Sequence, residues 1–151
     1  MSVINDIKTQ IKETIEAHVD KVQEVANFDK QPVGGFPLVC ITMSESENEF
    51  YSTANNMRTY IIKLVIYDQM SVNVSNPTPS VWNTAAERAE SNLCDVVSDI
   101  LSVLDKHYTL DDTVDYVEAT PSAWGYLEVE NGWCRTAEIL LRVKKQFDVT
   151  I

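Results

Sequence analysis

Ile4, Ile7, Ile11, Ile15, Val19, Val22 and Val25 recur at steps of three and four. Lys8, Lys12, Glu13, Glu16, Asp20, Lys21 and Glu24 fill the remaining faces. This spacing predicts one amphipathic helix of about six turns, with Ser2 as its N-cap. Residues 27–35 (NFDKQPVGG) hold a proline and two glycines and predict a loop. Residues 36–43 read as a strand, with Pro37 tolerated near its start. In residues 57–67, Tyr60, Ile62, Leu64 and Ile66 alternate with Thr59, Ile61, Lys63 and Val65, the period of two of a strand.

Residues 68–82 carry two prolines and predict a second long connection. The next helix starts at an Asn83 or Thr84 cap, with Glu87 in a capping-box position. Its stripe is Ala85, Ala89, Leu93, Val96, Val97, Ile100, Leu101 and Leu104, and it ends near Lys106 and His107. Residues 113–120 are strand-like, Pro121 predicts a bulge or bend, and the strand resumes over 124–130. Asn131-Gly132 signals a type I′ turn into a last strand over 133 to about 147. That turn predicts Glu128 opposite Arg135, Tyr126 opposite Ala137, and Trp124 opposite Ile139. The order is α-β-β-α-β-β. It predicts one α+β domain over 1–151: an antiparallel sheet of about four strands with two long helices packed on one face.

Charge changes the picture more than composition does. A net charge of −11 over 151 residues repels phosphate backbones and disfavours tight binding of DNA or RNA. The N-terminal stretch MSVINDIKTQIKETI lacks the apolar run of a signal peptide, and no stretch reaches the ~18 apolar residues of a membrane span. Cys40, Cys94 and Cys134 lack paired metal-ligand spacing and read as three buried thiols in a reducing compartment.

Catalytic motifs are missing from the chain. The four glycines form no phosphate-binding or nucleophile-elbow pattern. His18 and His107 read as core-edge or capping residues. Asp111, Asp112, Asp115 and Glu118 form an acidic group without a calcium-loop pattern, either a solvated acidic edge or a functional acidic surface. Arg135, Arg142, Lys144 and Lys145 give the last strand a local positive excess. They either pair with the acidic segment or form a charged subunit interface. In SESENEFYSTANN, Glu45, Glu47 and Glu49 alternate and face one side of an extended chain. Phe50 and Tyr51 are then either contact residues of a projecting hairpin arm or rings buried locally where the strands extend into the loop.

One resemblance orders these observations. RTYIIKLVIYDQ in the second strand and RTAEILLRV in the last, joined by the helix AAERAESNLCDVVSDILSVL, resemble the tail terminator (tail completion) proteins of long-tailed bacteriophages. The resemblance spans nearly the whole chain and rests on pattern and length. It implies a small α+β subunit without catalysis or cofactor, joined to its copies in a ring of typically six. Its partners would be itself, the tail tube protein and a head-completion or connector protein. DNA would pass through without specific binding, and no membrane is involved. The implied location is the tail-head junction of the virion, after assembly in the host cytoplasm. Under this resemblance Glu45, Glu47, Glu49, Phe50, Tyr51, Arg135, Arg142 and Lys144 become candidate interface residues, and Asp111, Asp112, Asp115 and Glu118 a candidate acidic channel or interface surface. The alternatives are another neck, head-completion or minor tail protein, or a small cytoplasmic binding module.

Overall fold

The computed structural model describes residues 3–32, 35–43, 49–52, 57–70, 77–130 and 132–146, with backbone alone for 49–52 and 57. Eight elements follow in order: α1 (Val3–His18), β1 (Glu24–Ala26), β2 (Leu38–Met43), β3 (Glu49–Ser52), β4 (Met57–Gln69), α2 (Pro79–Lys106), β5 (Tyr116–Val129) and β6 (Gly132–Gln146).

The strands form one six-stranded sheet in the order β1-β2-β4-β6-β5, with β3 paired to the start of β4. An antiparallel sheet of about four strands is therefore corrected. β1 pairs parallel with β2, through Glu24 to Leu38, Val25 to Val39 and Ala26 to Cys40, and makes the sheet mixed. The reason lies in Val19, Val22 and Val25, whose spacing imitates a helical stripe. Helix α1 instead stops at His18, and Val25 is buried from a strand. The other pairs are antiparallel.

Helix α2 also begins earlier than its sequence suggests. Thr78 is the N-cap, its hydroxyl oxygen accepting from the Val81 N–H at 3.4 Å, and Pro79 takes the first helical position. Proline suits that place because its φ is pre-set and its missing N–H would have no helical partner there. His107 closes the helix, its N–H donating to the Val103 carbonyl at 2.9 Å.

Both helices pack on the same face of the sheet. Ile7, Ile11 and Ile15 of α1 and Leu93, Val96, Ile100 and Leu104 of α2 meet Ile62, Leu64 and Ile66 of β4 and Ile139, Leu141 and Val143 of β6. Each fully buried Ile or Leu contributes about 1.5–3 kcal/mol relative to exposure. The opposite face has a smaller cluster of Ala26, Leu38, Cys40, Val65, Tyr67 and Cys134. The chain after β1 lies against it, since the Cys40 thiol donates to the Lys30 carbonyl at 3.7 Å. Burial on both sides explains why the second face of β4 is also largely apolar.

β5 is an edge strand of 14 residues, of which only Val117 is buried. The bulge expected at Pro121 is present: the register shifts between Pro121 and Trp124. One inserted residue reverses which side chains face the helices. Before it Val117 and Ala119 do so, opposite Val143 and Leu141. After it Trp124 and Tyr126 do.

Candidate functional site

That reversal builds an aromatic platform where β5, β6 and the first half of α2 meet. Arg135 of β6 lies at its centre and is only 7% exposed. Its Nη2 donates to Glu90 Oε1 of α2 at 2.6 Å, and its Nη1 donates to the Gly125 carbonyl at 2.7 Å. The guanidinium lies 4.4 Å from the centre of the Tyr126 ring and 5.5 Å from that of Trp124. Trp82 of α2 packs tilted against Tyr126 at 5.2 Å and edge-on against Trp133 at 5.2 Å. Met70, Ala85 and Ala89 are buried beneath.

Two consequences follow from this geometry. The cation is neutralised and enclosed inside one chain, so it offers little to an external anion. The rings above it stay open, with Trp124 40% and Tyr126 45% exposed. Flat amphipathic rings fixed from below and open above suit protein contact.

Next to Arg135 across the sheet lies Asp68 of β4, also buried. Its carboxylate accepts from Asn92 Nδ2 at 2.7 Å and from the Gln69 N–H at 3.1 Å. Burial raises its pKa above the ordinary aspartate value, and these two hydrogen bonds pull against that rise. Burial, followed by the Asp68 charge, pushes the Cys134 thiol up to about 11. Burial also raises the thiol of Cys40. Both are inert buried thiols, but Cys94 is exposed, which corrects the expectation of three buried ones.

A second feature is the cleft of about 460 Å³ between α1 and the turn after α2. His18 and His107 stack there with ring centres 4.4 Å apart, and Glu13, Lys106, Asp111 and Asp112 line it. Leu110, Asp111 and Asp112 hold φ of 47°, 58° and 61°, a left-handed run anchored by the buried Leu110. Among the described residues, no three side chains of metal-ligand type converge on one point.

The candidate residues from the sequence divide among these places. Asp111 and Asp112 reach the cleft. Asp115 lies beyond it, its Oδ2 accepting from the Gln146 N–H at 2.6 Å. Glu118 stands on β5 opposite Arg142 of β6, and Lys144 stands opposite Tyr116. Lys145 donates to the Thr113 carbonyl at 2.6 Å. The basic strand is thus a neighbour of the acidic one within a single chain. Glu49, Phe50 and Tyr51 lie on β3, whose backbone pairs with β4, but their side chains fall outside the described residues, as do Glu45 and Glu47 entirely.

Sequence reasoning missed Glu90, Trp124, Tyr126 and Asp68 as members of one site. The available signal was the aromatic density of WGYLEVENGW. No family model matches the chain, and a search of curated proteins finds no match either.

Proposed function

We propose that this chain is a structural subunit of the tail-head junction of a long-tailed bacteriophage, assembling with copies of itself into a ring that caps the tail tube. The division of its surface carries the reading. Exposed acids outnumber exposed bases on and beside the helices, with Glu13, Glu16, Asp20, Glu87, Glu90, Asp95 and Asp105 against Lys21, Arg88 and Lys106. Large apolar side chains stand exposed at both ends of the strand order, Phe28 beside β1 and Tyr116, Trp124, Tyr126 and Leu127 on β5. A closed ring uses heterologous contacts, so each subunit needs two different surfaces on different sides. An acidic wall lets DNA pass without adhering.

The resemblance supports the same reading. Its two sequence pieces lie on β4 and β6, which pair along thirteen residues at the centre of the sheet. The test is imaging of virions that carry a labelled copy of the chain. Label at the tail-head junction supports the proposal, and label elsewhere on the particle, or none, overturns it.

A further inference from the structure

Among the described residues, no strand pairs with the outer hydrogen-bonding edge of β5, and β6 is its only strand partner. A row of unpaired N–H and C=O groups is a template for another strand, and natural edges are usually blunted. The first half of β5 is blunted by Pro121 and by the bulge. The second half, residues 124–129, has no proline and pairs regularly with β6, which keeps its outer edge straight.

We propose that residues 124–129 accept an extended segment of a partner protein as an added strand, with lysine or arginine at alternate positions of that segment. Charge selects the partner. The acids in and beside this half of the strand, Glu128 and Glu130, are both exposed, and residues 124–134 hold no lysine or arginine. Arg135, opposite Tyr126 on β6, is taken by Glu90. A second copy fits poorly, because pairing β5 with itself sets acid against acid in chains of charge −11.

The side chains complete the fit. Successive residues of an added strand face opposite sides of the sheet. On the helix side they meet Trp124 and Tyr126, and on the other side Leu127, 38% exposed. A lysine or arginine over the open side of Trp124 gains a cation–π contact. Because Arg135 holds these rings from below, little ordering is lost on binding. This inference does not depend on the tail-junction reading, since strand addition is measured on the isolated chain.

The experiment titrates the chain with a short peptide alternating lysine and valine, and with a counterpart carrying glutamate for lysine. Fluorescence anisotropy reads binding, and amide hydrogen exchange reads its place. The expected result is binding of the lysine peptide alone, with slowed exchange in residues 124–129. Glu128→Gln with Glu130→Gln then weakens binding roughly tenfold, while Asp95→Asn with Asp99→Asn on α2 leaves it unchanged. The inference is overturned if the glutamate peptide binds equally, if protection falls elsewhere, or if the α2 variant weakens binding as much. It is also overturned if exchange in 124–129 slows with protein concentration alone, which would make a second copy the occupant.

Discussion

Tyr126 and Arg135 face each other across β5 and β6, with the guanidinium 4.4 Å from the ring centre. A turn at Asn131-Gly132 would have put Ala137 there instead. The observed register pairs Val129 with Gly132 and Glu128 with Trp133, a shift of two residues from that expectation. A shift of two keeps every side chain on its face but changes every partner. It takes Arg135 from Glu128 and leaves it to Glu90 of α2, joining the helix to the edge of the sheet.

The two members of this ion pair differ in access to water. The Arg135 side chain is 8% exposed and that of Glu90 54%. Removing Glu90 strands a buried cation, whereas removing Arg135 leaves a carboxylate that water can solvate. Glu90→Ala is expected to cost about 2 kcal/mol and Arg135→Met about 1 kcal/mol or less, since methionine keeps much of the buried stem. Urea denaturation of both variants checks the order. A larger loss for Arg135→Met contradicts it.

Asp68 gives a pH dependence of definite sign. Its folded pKa is raised, so the fold holds the proton more tightly than the unfolded chain does. Stability contributed by the protonated form is present below the unfolded value and is lost as pH rises through the folded value. Asp68→Asn keeps the shape without the charge. Its melting temperature, relative to the parent, is expected to be higher at about pH 7 than at about pH 3.5. The reverse trend contradicts burial as the dominant cause.

How far the sequence could be read depends on the range of the interactions. Alternation at Tyr60, Ile62, Leu64 and Ile66 and the apolar stripe of α2 are local patterns, and both are buried where periodicity puts them. β1 was hidden because Val19, Val22 and Val25 keep a helical step while the chain leaves the helix. No short-range signal marks a three-residue parallel strand whose partner lies fourteen residues on. The platform was hidden for a similar reason. Arg135 and Glu90 are 45 residues apart, and only the register of the hairpin brings Tyr126 over them.

Thr59 of β4 is fully buried, and its hydroxyl oxygen finds no hydrogen-bond partner among the described residues. Such a group costs about 1–3 kcal/mol of desolvation. Thr59→Val keeps the branched shape and removes the polar atom. A gain of up to about 1 kcal/mol is expected in denaturant unfolding. A loss of that size would mean the hydroxyl is bonded in solution.

Thiol labelling tests the burial pattern. At mildly alkaline pH, iodoacetamide is expected to modify Cys94 rapidly and to leave Cys40 and Cys134 intact until denaturant is added. Mass spectrometry counts the labels. Rapid native labelling of Cys134 would contradict the packing of β6 against the smaller cluster.

The proposed tail-junction subunit closes with its copies into a ring. Mass photometry of the purified chain, alone and with polymerised tail tubes, tests it most directly. The prediction is a discrete species at a small whole multiple of the 17.1 kDa chain, with no open-ended series above it, and tubes capped at one end. A chain that stays monomeric at every concentration and leaves both tube ends bare would contradict the account.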